Sequence, residues 1–140
     1  ETMPVVYGKA EMIHKGSEIA LVAVGSMVET ACEVRKILKE KGLDVTVVNE
    51  RFIKPIDAGM IHKLSFDHKL IVTMEENVGL GGFGDTVCQY ADDSQLDVKV
   101  LNIALPDDYV EHGNVSILKK EEGIDAAGVA DRVLSFYTNI

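Results

Sequence analysis

Apolar and polar residues follow one another along this chain in short blocks that predict strands and helices in turn. Residues 19–24 and 70–72 are continuous apolar runs rich in branched side chains, a pattern typical of strands buried on both faces of a sheet. Residues 45–49 predict another strand. Between residues 19–24 and 45–49, apolar residues recur at helical spacing. They are Met27, Ala31, Val34 and Leu38. This order is a βαβ unit, so its two strands are expected to be parallel.

Residues that favour helix ends flank the predicted helices. Ser26 and Glu29 have the S-x-x-E spacing of a capping box, in which each side chain accepts a free backbone N–H at the helix start. Gly42 is expected to end the same helix in the left-handed conformation. Asp57 and Asp125 each precede a further segment with helical periodicity, and each is predicted to cap that helix. The last helix is predicted to carry an apolar stripe of Val129, Val133, Phe136, Tyr137 and Ile140.

Two more strands complete a predicted sheet of five. Residues 11–14 form a short edge strand, and residues 96–103 alternate toward a last strand. The alternation of strands and helices predicts a three-layer α/β/α sandwich around a mostly parallel sheet. The length of 140 residues predicts a single domain. Because the chain starts Glu-Thr-Met-Pro, we expect it to be cut from a longer polypeptide.

The stretch over residues 69–84 carries the densest candidate chemistry. A buried strand ends in Glu75 and Glu76, and Asn77 leads into a loop with four glycines before the next helix. Ligands of α/β folds collect at the carboxyl ends of strands, so this loop is predicted to line a crevice.

The glycines of this loop match the letters of a dinucleotide-binding motif. Gly79, Gly81 and Gly84 give G-x-G-x-x-G between a predicted strand and a helix. Glu75 and Glu76, however, place negative charge where a pyrophosphate would lie, and the loop does not follow the first strand of its unit. Glycine also permits sharp turns and close helix packing, and we favour this structural role.

Composition limits the possible partners. The formal net charge of −9, with no basic patch, argues against nucleic acid and against anionic membranes. Cys32 and Cys88 fall in predicted helices with no C-x-x-C pair, which favours reduced core cysteines over a disulfide. No apolar run reaches the length of a membrane span and no leader opens the chain, so we expect a cytoplasmic protein.

Two further residues are candidates for a site. Arg51 follows a predicted central strand, where its guanidinium could meet an anionic group across a domain boundary or pair with Asp57. His112 lies in a polar loop and is either an interface group or a solvent-facing histidine. The four histidines lack zinc-ligand spacing, and no serine or cysteine lies in a nucleophile motif.

Several segments together resemble one family. They are residues 49–57 (NERFIKPID), residues 75–77 (EEN) with the Gly-Gly-x-Gly that follows, residues 105–107 (LPD), residues 112–113 (HG) and residues 123–126 (GIDA). In order and spacing they are similar to the C-terminal domain of the 1-deoxy-D-xylulose-5-phosphate synthases, which are transketolase-like thiamine diphosphate enzymes. The resemblance extends over residues 7–137.

The resemblance implies a transferase of isoprenoid, thiamine and pyridoxal biosynthesis, which joins pyruvate and glyceraldehyde 3-phosphate with loss of carbon dioxide. It implies an antiparallel edge strand over residues 11–14. It also implies that thiamine diphosphate, Mg²⁺ and the catalytic residues belong to preceding domains of a homodimeric enzyme. No catalytic, cofactor-binding or metal residue is therefore assigned to this chain, which alone is expected to be inactive and to bind no cofactor. The candidate interdomain crevice consists of Arg51, Glu75, Glu76, Asn77 and His112.

Two alternatives remain open. The chain could be the equivalent domain of transketolase or of a 2-oxoacid dehydrogenase β subunit, which share the fold. It could also be a free-standing nucleotide- or flavin-binding module, which would hold phosphate at the backbone amides of residues 81–84.

Overall fold

The protein alternates strands and helices along its length. The computed structural model describes residues 9–50, 56–76, 82–104 and 125–140. The strands are β1 (Glu11–His14), β2 (Glu18–Ala23), β3 (Thr46–Asn49), β4 (His68–Glu75) and β5 (Lys99–Ala104). The helices are α1 (Met27–Glu40), α2 (Ala58–Leu64), α3 (Phe83–Asp93) and α4 (Ala126–Thr138).

The strands form one sheet in the order β1-β3-β2-β4-β5. Strands β3, β2, β4 and β5 are parallel to one another, whereas β1 pairs antiparallel with β3 at the edge. In the centre, Leu21 of β2 lies opposite Val47 of β3 and Val72 of β4. The predicted five-stranded, mostly parallel sheet with an antiparallel edge strand is confirmed.

Two apolar cores lie on opposite faces of the sheet. Ile19 and Leu21 of β2 contribute to the core shared with α1 and α4. Ala20 and Val22, which alternate with them, contribute to the core shared with α2 and α3. The predicted three layers and the burial of central strands on both faces are therefore confirmed. The predicted inner positions of α1 are also fully buried; they are Met27, Ala31, Val34 and Leu38.

Most of the predicted helix ends are confirmed. Gly42 has a φ of 93°, and the N–H of Leu43 donates to the carbonyl of Leu38 at 2.9 Å, which closes α1. Asp57 accepts the N–H of Met60 at 3.0 Å at the start of α2. Asp125 accepts the N–H of Gly128 at 3.0 Å at the start of α4. Both aspartates therefore act as N-caps.

The predicted capping box of Ser26 and Glu29 is wrong. Ser26 precedes α1, but its side chain makes no capping hydrogen bond because its own backbone is already helical, with φ −67° and ψ −13°. The first N–H groups of the helix turn back to backbone carbonyls instead. Met27 donates to Val24 at 3.3 Å, and Val28 donates to Gly25 at 3.2 Å.

Two other predicted details need correction at the ends of elements. Strand β5 begins at Lys99 rather than at residue 96, because Leu96 donates its N–H to Ala91 at 2.9 Å and so still closes α3. The apolar stripe of α4 is buried at Val129 and Val133, but Ile140 lies beyond the end of the helix and is 48% exposed.

The two cysteines are free thiols, as the sequence indicated. Cys32 and Cys88 are each half-buried rather than enclosed in the core. Among the described residues, none of the helices has the length and apolar character needed to cross a bilayer.

Candidate functional site

The carboxyl edge of the sheet brings two glutamates to the starts of two helices. Glu50 directly follows β3 and Glu75 ends β4. Along each strand, alternate residues share a face, so Glu50 continues the row of Val48 and Glu75 continues the row of Ile71. Val48 and Ile71 both belong to the core beneath α2 and α3. Each glutamate thus lies on the side of the sheet where the following helix begins.

Glu75 binds the first backbone amides of α3. Its Oε1 accepts the N–H of Phe83 at 3.0 Å, and its Oε2 accepts the N–H of Gly84 at 2.6 Å. The side chain is 7% exposed. A carboxylate at a helix N-terminus is stabilised by the helix dipole and by these charge-assisted hydrogen bonds. The two amides are consequently not available to a phosphate group.

Gly84 lets α3 approach the sheet closely. A Cβ atom at this position would lie 2.7 Å from Cγ and Oδ1 of Asn102 and 2.9 Å from Oγ1 of Thr73. Those two side chains are themselves joined, because Thr73 donates its hydroxyl to Asn102 Oδ1 at 2.6 Å. The predicted structural role of this glycine, close packing of the helix, is therefore confirmed.

Glu50 is almost completely buried, with 1% of its surface exposed. Its Oε2 accepts the N–H of Asp57 at 3.1 Å. Its Oε1 is buried and has no hydrogen-bond partner within the described part of the chain. Burial raises the pKa of the Glu50 carboxyl to about 7; the nearby charge of Asp57 adds to this increase, and the Asp57 N–H opposes it.

Asp57 joins three parts of the chain at this point. Its Oδ1 caps α2 through Met60, its backbone N–H donates to Glu50, and its Oδ2 accepts the N–H of Ala10 at 2.8 Å. Ala10 immediately precedes β1. The side chain, only 5% exposed, therefore attaches the edge strand and the start of α2 to the end of β3.

The structure describes two of the five residues predicted for the interdomain crevice. Glu75 lies at the carboxyl edge, as predicted, and Glu76 follows it on the surface. Arg51, Asn77 and His112 lie outside the described residues. Their part in a crevice, and the pairing of Arg51 with either an external anion or Asp57, therefore remain predictions.

Sequence reasoning missed a buried histidine at the opposite, amino edge of the sheet. His68 Nε2 lies 2.7 Å from Thr46 Oγ1, which also accepts the N–H of Gly16 at 2.8 Å. His68 Nδ1 lies 2.9 Å from the carbonyl of Leu64. This network ties together the starts of β3 and β4 and the end of α2, which is a structural role. Within residues 9–50, 56–76, 82–104 and 125–140, no three His, Cys, Asp or Glu residues are grouped so as to hold a metal ion.

Comparison with protein families gives a match over most of the chain. The model of the transketolase C-terminal domain matches residues 8–129. Among solved structures, a split-gene transketolase, described as an inactive β4 tetramer, has a TM-score of 0.83 and 25% sequence identity. The match covers 97% of this chain and 44% of that one. A 2-oxoglutarate:ferredoxin oxidoreductase from Magnetococcus marinus has a TM-score of 0.57 at 14% identity over 92% of this chain and 19% of its own, a likeness of fold.

Curated relatives are more similar in sequence. The chain is 48% identical over 130 residues to 1-deoxy-D-xylulose-5-phosphate synthase of Lachnoclostridium phytofermentans, covering 92% of the chain and 21% of the relative. It is 43% identical over 134 residues to the synthase of Dehalococcoides mccartyi, covering 94% of the chain and 21% of that relative. The chain thus spans about a fifth of the length of these relatives.

These matches confirm the resemblance found in the sequence, to the C-terminal domain of the 1-deoxy-D-xylulose-5-phosphate synthases. The fold and the family model agree on the same region. The chain therefore belongs to the transketolase C-terminal domain family.

Proposed function

We propose that the chain is the C-terminal domain of a 1-deoxy-D-xylulose-5-phosphate synthase. The whole enzyme would condense pyruvate with glyceraldehyde 3-phosphate, release carbon dioxide, and depend on thiamine diphosphate and Mg²⁺. Within that enzyme this domain would pack against the preceding domains and contribute to a homodimer, without supplying catalytic groups.

The observation that carries this proposal is the level of identity to proteins with that name. Synthases from several bacteria are 37% to 48% identical over more than nine-tenths of the chain. The split-gene transketolase is only 25% identical over a similar share. These values favour the synthase over transketolase itself.

The use of the acidic groups at the carboxyl edge supports a structural role. Both carboxylate oxygens of Glu75 bind backbone amides of α3, and Glu50 and Asp57 bind the start of α2. Side chains bound to their own backbone in this way form part of the structure of the edge and are not available to hold a ligand. Such an edge suits a surface that meets another domain.

The described residues do not fit a thiamine diphosphate site of their own. A helix N-terminus is the usual place for a phosphate group in such a fold, and at α3 the carboxylate of Glu75 already occupies the amides of Phe83 and Gly84. A diphosphate there would have to displace Glu75 and would meet its negative charge. The same observation counts against a free-standing nucleotide-binding module. No step of the reaction is therefore assigned to a residue of this chain.

The solved relative gives independent support for inactivity in isolation. The split-gene transketolase chain, whose matched part is 44% of its length, is described as inactive in its β4 tetramer. By analogy, a chain that carries this domain without all of its partners would lack a complete active site.

A domain exchange would test the identity. The C-terminal fifth of the Lachnoclostridium phytofermentans synthase would be replaced by this chain, with the equivalent segment of the split-gene transketolase as the matched control. We expect the first hybrid to retain synthase activity within about tenfold of the parent and the control to lose it. Equal loss of activity in both folded hybrids would contradict the proposal.

The absence of a catalytic role has a separate test. Calorimetric titration of the 140-residue chain with thiamine diphosphate and Mg²⁺ is expected to show no binding. Tight binding by the chain alone would show that the division of roles is wrong, whatever the hybrids do.

A further inference from the structure

The carboxyl group of Glu50 lies in an environment that is unfavourable to a negative charge. It is 1% exposed, its Oε2 has a single N–H donor, and its Oε1 has no partner among the described residues. A buried carboxylate is stable when several donors or an opposite charge surround it, and it favours the neutral acid when they are lacking.

Among the residues that the structure describes, no nearby charged group compensates for this burial. On α2, Asp57 adds a second carboxyl, and residues 58–60 of the first turn carry no ionisable side chain. On β1, Glu11 lies opposite Asn49 and accepts its amide at 3.5 Å. At the end of β2 and directly after it, residues 23–26 are uncharged. Arg51 and Lys54 follow in the sequence, outside the described residues.

We propose that protonation of Glu50 controls how firmly the start of α2 and the approach to β1 are attached to the end of β3. The neutral acid is compatible with the buried position and holds the Asp57 N–H. The ionised form brings a charge into a site where the described residues supply one donor and an adjacent carboxyl. The least costly response is local opening of the junction, which hydrates the carboxylate.

Asp57 extends the effect beyond α2. Its side chain caps α2 through Met60 and also accepts the N–H of Ala10. Local opening at Glu50 therefore loosens three backbone amides together, those of Asp57, Met60 and Ala10. The domain would have a pH-dependent junction at the edge that is proposed to meet its neighbour, but the property resides in this chain and does not depend on that proposal.

The direction of the pH dependence follows from the raised pKa. Since the pKa of Glu50 is about 7 when folded and near 4.5 when exposed, the folded junction binds the extra proton between these values. Its stability is complete below about pH 4.5, falls as the pH rises toward 7, and changes little above that. For one group with these two pKa values, the opening equilibrium rises on the order of fiftyfold between about pH 5 and pH 8.

Amide hydrogen exchange in the 140-residue chain would test this proposal. Protection factors of Asp57, Met60 and Ala10, corrected for the intrinsic pH dependence of exchange, are expected to fall between about pH 5 and pH 8. In Glu50→Gln, which keeps the shape and the acceptor without the charge, they are expected to stay constant. The effects of other titrating groups, including the histidines, are common to both proteins and cancel in the ratio of their protection factors.

A second substitution provides a matched control. An NMR titration of Glu50 tests the same proposal in the unmodified chain. Glu75→Gln makes the same chemical change at the other junction and is expected to leave the pH dependence at Asp57 unaltered. The carboxyl carbon of Glu50, followed by NMR in the unmodified chain, is expected to titrate near pH 7. Titration of Glu50 below about pH 5, or protection in Glu50→Gln that falls with pH as in the parent, would overturn the proposal.

Discussion

The two junctions at the carboxyl edge use the same residue type but give its carboxylate different numbers of backbone donors. Glu75 at the β4–α3 junction has one backbone N–H on each oxygen. Within the part of the chain that the structure describes, Glu50 at the β3–α2 junction accepts one backbone N–H and has a neighbouring carboxyl. Position and burial are nearly the same in the two cases. The two junctions therefore differ in how many donors surround the carboxylate, and not in how deeply it is buried.

The difference between the junctions has a local cause in the two helix starts. Helix α2 has its own N-cap, because Asp57 takes the N–H of Met60 and leaves only its own N–H for Glu50. Helix α3 is preceded by Gly82, which has no side chain to act as a cap, so the amides of the first turn bond to Glu75. A helix without a cap of its own therefore offers more donors to the preceding strand.

The largest effect is expected from a glycine at the second position of a helix, which is Gly59 in α2 and Gly84 in α3. Gly84→Ala would force Asn102 and Thr73 apart and is expected to lower the free energy of unfolding by about 2 to 3 kcal/mol. In Gly59→Ala the new Cβ would meet only Asp57 Oδ1, at 3.6 Å, so the better helix propensity of alanine is expected to stabilise by about 0.5 to 1 kcal/mol. Chemical denaturation measures both. Equal effects would remove this distinction between the junctions.

Glu75→Gln is expected to lower the free energy of unfolding by about 2 kcal/mol at neutral pH, since it removes a charge-assisted acceptor from two amides. In glutamine an NH₂ group takes the place of one carboxylate oxygen, so only one of the two N–H groups, of Phe83 or of Gly84, would keep its acceptor. Asp85→Asn, in the exposed first turn of the same helix, is the control and should cost about 0.5 kcal/mol. A Glu75 variant as stable as the control would show that these two hydrogen bonds contribute little.

Asp57→Asn tests the contribution of Asp57 to the β3–α2 junction. Asparagine keeps the N-cap of α2, but its NH₂ cannot accept the N–H of Ala10, so the expected loss is about 1 kcal/mol. The charge of Asp57 contributes to the raised pKa of Glu50. The NMR titration midpoint of Glu50 should therefore fall in this variant, and an unchanged midpoint would mean that Asp57 is not a source of the shift.

The smallest effect concerns a glutamate at the opposite edge of the sheet. Tyr137 donates its hydroxyl to Glu18 at 2.7 Å, and this hydrogen bond lowers the pKa of Glu18. Its contribution is present above the ordinary pKa of a glutamate and is lost as the pH falls through the lowered value. Tyr137→Phe should therefore raise the pKa of Glu18 and reduce stability slightly at neutral pH but not in acid. NMR titration and thermal unfolding at about pH 7 and pH 3 would measure both effects.

Local patterns in the sequence predicted the fold well. The period of about 3.6 residues identified the buried positions of α1, and Asp57 and Asp125 were correctly identified as caps because capping depends on residues close together in the chain. The direction of β1 came from the family resemblance. The capping box at Ser26 was wrong because the positive φ of Gly25 directs backbone carbonyls, rather than side chains, to the first amides of α1.

The chemistry of the edge was harder to predict, because it depends on contacts between distant residues. Glu50 looks like a polar residue that follows a strand, and its burial depends on the later position of α2. One signal was present in the sequence. Glu50 lies two residues after Val48, so it continues the row of residues that faces the core. The contact of His68 Nε2 with Thr46, which is 22 residues away in the sequence, could not be identified before the arrangement of the strands was known.

The contrast between the two junctions is tested most directly by the stability of Glu50→Gln and Glu75→Gln, measured side by side at about pH 8 by chemical denaturation. We expect opposite signs: Glu50→Gln should be more stable than the parent by about 1 to 3 kcal/mol, because it removes a buried charge, and Glu75→Gln should be less stable. Loss of stability in both variants would contradict the contrast, because it would mean that Glu50, like Glu75, is a well-satisfied carboxylate.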